Sequence, residues 1–377
     1  MRILRRGKEW THYGVRLTRS NSWMTDIPTL EDEYPFGITL ERRGDIVDAK
    51  PPFKGFCGIQ LGNGLFIYGI GKTVDGKHAL IFMGGIKVPV RGGMSIWLDG
   101  RWYRPGYALP FHYDEGKKYP APTIYTDPSG PFILSTTYYY PEPRWTYQVH
   151  SRDRKYSLII DMRTRGVPFW LGKPTGPYVV FGIGHPDAPE TYNVWGGFIW
   201  FGSFTAELRT PGHGELIFKG WGVKDREYHR YAGPNPRRGH HPASYTAIAI
   251  SQNEGEFDLI IYESIHPLTG EVWTRSGRLN FPKRGLNFTF DDYEYRDDGT
   301  VAPRSYRLKG RFERGEVDLK GEVEFSREHV WERGGWQGSF VWPYIRWRGT
   351  ITLDGRRIKV DTLGLAELSR LKRGEGR

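Results

Sequence analysis

Strand-length apolar runs recur along this chain from end to end, and turn dipeptides separate them. Ser95-Ile-Trp-Leu98 and Arg101-Trp-Tyr103 flank Asp99-Gly100, and Thr350–Leu353 and Arg357–Val360 flank a second Asp-Gly turn at Asp354-Gly355. Such a pair between strand-like runs is a strong hairpin signal, because both central residues must tolerate positive φ. Phe56–Leu61 and Gly64–Tyr68 flank Gly62-Asn63, which predicts another hairpin there. Val317 to Phe325 carries apolar residues at alternate positions, which places one face on a core or cavity and the other in water. The pattern predicts an all-β, antiparallel fold. Aromatic residues make up 15% of the chain, and 49 glycines and 26 prolines punctuate it, as short strands and tight turns require. The one helix expected is a short one near Leu365–Leu371.

The chain has 377 residues, long for one domain and comfortable for two. Ala232-Gly-Pro-Asn-Pro-Arg-Arg-Gly-His-His-Pro242 opposes continuous structure, so the division is expected there: one β domain over 1–235 and another over 236–377. Each part is long enough to curl into a barrel.

The net charge of +11 would suit an anionic partner. The basic residues are scattered among acids, apart from Arg2–Lys8, Arg237-Arg238 and Arg370-Leu-Lys-Arg373. No recognition-helix pattern accompanies them, so nucleic acid is not an expected partner; peripheral contact with an anionic membrane is compatible with them. No run is as long as a membrane-spanning helix. The basic N-terminus has no apolar segment behind it, and Cys57 is the sole cysteine. A secretory leader, an intrachain disulfide and a cysteine metal cluster are therefore not expected, and the cytoplasm is the expected compartment. Abundant Arg and Glu with few Met and Cys fit a thermophile's surface ion pairs.

His-Glu-x-x-His, Cys-x-x-Cys and Gly-x-Ser-x-Gly patterns are absent, and Gly182-Ile-Gly184 has no helix after it, so zinc, dinucleotide and serine-hydrolase chemistries have no footing. His240-His241 reads as a surface pair. Asp291-Asp292 and Asp297-Asp298 border turns and read as solvated. What survives is carboxylate chemistry in Gly220-Trp-Gly-Val-Lys-Asp-Arg-Glu-Tyr-His-Arg-Tyr-Ala-Gly233. This segment sets Asp225, Glu227 and His229 among Trp221, Tyr228 and Tyr231. The side-chain period of a strand would put the two acids and the histidine on one face and Lys224, Arg226 and Arg230 on the other. Glu367 is a further candidate, a charge inside the apolar run Leu363–Leu368.

The Gly220–His229 segment after an apolar strand resembles the Gly-x-x-x-Asp-His region that closes the first domain of the AttH/CrtC family, the carotenoid 1,2-hydratase-like proteins. Trp347-Arg-Gly-Thr-Ile-Thr-Leu-Asp-Gly-Arg-Arg-Ile-Lys-Val-Asp-Thr-Leu-Gly-Leu-Ala-Glu367 is similar to that family's closing pattern, and Glu9-Trp10 with Tyr13 to its opening. The resemblance is clearest over residues 145–232 and 340–370. Asp225 matches the family's motif aspartate. His229 is displaced from the place directly after it, and Arg230-Tyr-Ala-Gly233 stands where the family has Asn-Trp-Gly. The resemblance implies two lipocalin-like β-barrel domains packed together. It also implies cofactor-independent hydration, cyclisation or isomerisation of terpenoid or other polyene substrates.

Hydrating an alkene requires protonation to a carbocation, which a buried carboxylic acid can supply. Aromatic faces can stabilise the cation by about 0.5–2 kcal/mol each. Asp225 is the expected proton donor, Glu227 or Glu367 the water-positioning base, and His229 a tuning or relay group. Trp221, Tyr228, Trp200 and Tyr231 are the expected substrate wall. Two other readings use the same residues: a non-catalytic carrier of a lipid or pigment, and a carbohydrate-active enzyme with paired carboxylates on aromatic platforms.

Overall fold

The computed structural model describes residues 4–6, 9–12, 15–18, 59–88, 91–103, 107–108, 111–114, 116, 120–126, 129–170, 179–185, 188–232, 244–252, 255–265, 272–333 and 336–373. Among them the only helical element is one 3-10 turn, Pro282–Arg284; the rest is antiparallel strand and turn. Leu4–Arg6, Glu9–His12 and Val15–Thr18 form a small sheet of their own.

The first large sheet is a meander whose ends meet. Ile59–Thr73, Ala79–Val88, Arg91–Leu98 and Arg101–Tyr103 pair in sequence. Phe111–Asp114, Thr123–Thr126, Phe132–Tyr138, Arg144–Ser151 and Ser157–Thr164 pair likewise, and lead into Ala188–Thr210 and Gly214–Ala232. The last strand then pairs with the first, from Phe218 opposite Thr73 to Ala232 opposite Ile59.

The second large sheet repeats the plan with fewer strands. Tyr245–Gln252, Phe257–Ile265, Val272–Phe281 and Leu286–Thr289 pair in order, as do Asp292–Asp297, Ser305–Phe312, Gly315–Arg333, Trp336–Leu353 and Arg356–Arg373. Arg356–Arg373 closes on Tyr245–Gln252. The two open edges are joined through Phe290 and Asp291 alone, so they lie no more than about 11 Å apart there. Each sheet is therefore a curled, lipocalin-like barrel with one seam after its fourth strand.

Alternation along the strands explains where the cores sit. Phe198, Trp200 and Phe204 belong to the core inside the first barrel, while Ile199 and Phe201 belong to a second cluster outside it. That outer cluster is shared with Tyr245, Ala249, Ile260 and Tyr262 of the second barrel. The barrels thus pack outer face to outer face, each keeping its own interior core. At Glu324 a bulge turns the strand over, so that Val323 packs inward and Phe325 outward. Phe325 stacks on Trp97 of the first barrel at 4.8 Å between ring centroids. Farther along the interface, Arg165 grips the fully buried Asp258 with two hydrogen bonds of 2.9 and 2.8 Å.

Three expectations are corrected. Gly62-Asn63 is not a turn: Ile59–Thr73 runs through it, held on both sides by Gly214–Ala232 and Ala79–Val88. The tail is not helical either. Leu365–Leu371 lies within the strand Arg356–Arg373, whose partners on both sides satisfy its backbone. Asp297 is not solvated, since it is bonded at 2.7 Å to the buried Arg370. The Asp99-Gly100 and Asp354-Gly355 hairpins form as expected, with φ of 48° and 88° in the first and 50° and 76° in the second. The expected division at 235/236, Cys57 and His240-His241 fall outside the described residues.

Candidate functional site

Asp225 sits in the strand Gly214–Ala232, between Ile199 and Phe66 of the flanking strands. Phe218 points into the first barrel, so Gly220, Gly222, Lys224 and Arg226 follow on that inner face and Trp221, Val223 and Asp225 take the outer one. The glycines are there because the strands crowd. A Cβ on Gly220 or Gly222 would lie 2.0 Å from the Ile70 carbonyl oxygen or 2.1 Å from that of Tyr68. Lys224 and Arg226 are buried on the far side of the sheet from Asp225. The expected separation of acid from cations therefore holds over residues 224–226.

Glu367 comes from the second barrel. The ladder between Trp336–Leu353 and Arg356–Arg373 is interrupted from Trp342 to Pro343, opposite Ala366 and Glu367, where proline has no N–H to donate. Leu368 points into the second barrel, and Glu367 faces the other way, toward the interface. Three donors converge on its carboxylate. The Tyr245 hydroxyl donates to Oε1 in a short contact, while Trp342 Nε1 at 2.9 Å and the Tyr68 hydroxyl at 3.3 Å donate to Oε2.

Asp225 and Glu367 line one cavity of about 50 Å³ between the barrels. Its remaining wall is mostly apolar, with Ile199, Val223, Ile260 and Leu365 among the side chains. Asp225 is 6% exposed, so this is a nearly dry acid. The volume is room for a few water molecules or the end of a larger molecule.

The other expected site residues divide. Trp221 lies on the Asp225 face and packs in both interface clusters, 6.0 Å from Phe201 between ring centroids, without lining the cavity. Trp200 is on the wrong face for the expected wall. It is buried inside the first barrel, with Nε1 donating to the Arg165 carbonyl oxygen at 3.0 Å. The backbones of Glu227, Tyr228, His229 and Tyr231 continue the strand, opposite Gly197, Gly196, Trp195 and Asn193. Their side chains lie outside the described residues. Tyr68, Tyr245 and Trp342, the donors to Glu367, were not expected. They belong to distant strands without a motif, and only the proline after Trp342 marked an irregular place in a central strand.

No family model and no curated protein matches the sequence. Several solved structures are similar in chain course. Kievitone hydratase from Nectria haematococca shares 10% identity, covering 82% of this chain and 89% of its own, with a TM-score of 0.44. CghA shares 12% over 84% of this chain and 90% of its own, with a TM-score of 0.43. An AttH-like protein from Nitrosomonas europaea shares 10% over 82% and 92%, with a TM-score of 0.45. The chemistry of the site is carried by its own residues.

Proposed function

We propose that the protein is a cofactor-independent hydratase or isomerase that protonates an alkene in a hydrophobic, isoprenoid-like substrate at the pocket between the barrels. The observation that carries this is the meeting of Asp225 and Glu367, one from each barrel, on a single small apolar cavity. Asp225 in its carboxylic acid form gives its proton to one alkene carbon, and the positive charge develops on the other. Water adds its oxygen there and loses a proton to Glu367. In isomerisation, Glu367 takes a proton from a neighbouring carbon instead. Exchange with solvent returns both acids to their starting states. The donors from Tyr245, Trp342 and Tyr68 hold Glu367 in one orientation, which a positioned base requires. Glu227 and His229, two and four register positions beyond Asp225, are proposed as an accessory base and a relay. The volume of about 50 Å³ admits water and the reacting end of the substrate, so the hydrocarbon remainder lies outside it.

The test incubates the full chain with a panel of prenyl alcohols and polyenes in isotopically heavy water, and reads label in the product by mass spectrometry. Asp225→Asn and Glu367→Gln are each expected to lower turnover by about 10²–10⁴-fold, the usual worth of a general acid or base. Ligand binding should be nearly unchanged. Wild-type protein that retains a hydrophobic ligand without incorporating label would point to a carrier instead. An Asp225→Asn variant that turns over normally would remove the acid assignment.

A further inference from the structure

The bulge at Glu324 turns its strand over, and the next two residues to face the first barrel are Phe325 and Arg327. Without the extra residue, the alternation from Val323 would carry both into the second barrel. The bulge therefore brings a guanidinium to the interface. Ser95 and Trp97 of Arg91–Leu98 meet these residues, on the outer face because Ile96 between them belongs to the interior core. Phe325 stacks on Trp97 at 4.8 Å and on Tyr344 at 4.5 Å. Two positions farther on, Arg327 Nη1 donates to the buried Ser95 Oγ at 2.8 Å.

Arg327 also stands directly opposite Trp342 in the ladder, with its guanidinium carbon 5.2 Å from the indole ring centroid. Trp342 in turn donates from Nε1 to Glu367 Oε2 at 2.9 Å. Ser95, Arg327, Trp342 and Glu367 thus form one chain of contacts, from the first barrel to the carboxylate of the second. A cation over an indole face is attracted to the ring and draws electron density from it, which strengthens the N–H as a donor. It also restrains the ring. That restraint matters at Trp342, because the ladder to Arg356–Arg373 is interrupted there and at Pro343, so the backbone holds this side chain less firmly than its neighbours. A planar guanidinium suits the double task, since it stacks through its face and donates from its edge.

We propose that Arg327 is a positioning residue for Glu367, and that through it the base of the site depends on the docking of the first barrel. Ser95 holds the guanidinium over Trp342, and the indole N–H thereby stays on Oε2. Arg327 does not line the cavity, so it acts through Trp342 and not on the substrate. The inference rests on the reading of Glu367 as the base, and adds what keeps that base in place.

The experiment labels the tryptophans of the full chain with heavy nitrogen and follows their indole N–H resonances by NMR. The Trp342 resonance is assigned by its loss in Trp342→Phe. Glu367→Gln removes the charge of the acceptor and should move this resonance upfield. Arg327→Met should move it in the same direction. Ser95→Ala, which removes only the tether, should move it less. The same variants are assayed for label incorporation from heavy water. Arg327→Met is expected to lower kcat by about tenfold and to change KM by less than about twofold, because a misplaced base costs turnover more than binding. A folded Arg327→Met variant whose Trp342 resonance stays in place, or whose loss lies wholly in KM, would overturn the proposal. If Arg327→Met fails to fold by circular dichroism, Ser95→Ala decides, and an unmoved resonance there overturns it. If wild-type protein incorporates no label from any substrate, the alkene reading fails by itself, and the resonance alone decides whether Arg327 places Trp342.

Discussion

The two barrels share a strand order, a closing pair of first and last strands, and a seam after the fourth strand, yet one hairpin end is solid and the other hollow. The difference teaches that topology and filling are set separately. Strand order follows from consecutive hairpins, which are local. Whether an end is filled depends on a few side-chain volumes that meet only after closure. In the second barrel Phe281, Phe288 and Phe312 plug the end that carries the turns after Gln252, Phe281, Phe312 and Leu353, with neighbouring ring centroids 5.0–6.2 Å apart. At the matching end of the first, beside the turns after Thr73, Leu98, Ser151 and Thr210, the side chains of Ile96, Val149, Leu158 and Leu208 leave a cavity of about 380 Å³.

The largest expected effect follows from truncating the plug. Phe281→Ala should cost about 3–5 kcal/mol, read by urea denaturation, because a buried ring leaves a cavity that its neighbours cannot close. Leu208→Ala in the first barrel should cost about 2 kcal/mol, the low end for a buried leucine, since its side chain already borders open space. Equal losses at the two positions would break the comparison.

Additions should behave in the opposite sense and with smaller size. Val317→Phe in the packed barrel should cost about 1–3 kcal/mol by overpacking. Leu158→Phe in the hollow one should change stability by less than about 1 kcal/mol, because the added volume has somewhere to go. Differential scanning of the two variants side by side measures this. A Leu158→Phe variant as damaged as Val317→Phe would mean that the cavity wall is rigid.

The smallest effect comes from the opposite end of the second barrel, where Glu263 is paired with Arg275 at 2.6 Å. Burial pushes the Glu263 carboxyl above its ordinary pKa, and Arg275 offsets only part of this. With the folded value above the unfolded one, the contribution to stability is complete below the unfolded value. It is lost as pH rises through the folded one. Glu263→Gln does not titrate, so its stability relative to wild type should improve as pH rises across the range above the ordinary carboxylate value. Urea midpoints across that range check the sign. A relative stability that falls with pH would show the Arg275 pair to dominate.

Much of the fold is legible from period and turn chemistry. Asp99-Gly100 and Asp354-Gly355 are hairpins because both positions adopt positive φ, a local demand that local sequence answers. Gly62-Asn63 carries the same local signal and misleads. Its flanks pair with other strands rather than with each other, and a long-range ladder outweighs a turn preference. The tail misleads for a related reason. Leu365, Leu368 and Leu371 have helical spacing, but their strand is buried on both faces. Leu368 packs inside the second barrel and Leu365 against the first. Apolar residues are then needed on both sides, and the alternation that marks a strand disappears.

The candidate site divides along the same line. The side-chain period of two is enough to place Asp225 on the opposite face from Lys224 and Arg226, so that separation was written in the sequence. That this face meets the second barrel, and that Glu367 meets Asp225 there with Tyr68, Tyr245 and Trp342 around it, was not. Trp200 shows the limit most plainly: its aromatic character suits a substrate wall, but its position in the strand turns it into the barrel interior. By itself the sequence determined the strands, two of their turns and the faces of short segments, because those depend on backbone sterics and a fixed period. The tertiary structure alone decided which faces are buried twice, which acids share a cavity and which barrel end stays hollow. These depend on contacts between residues far apart in the chain, and no local pattern encodes them.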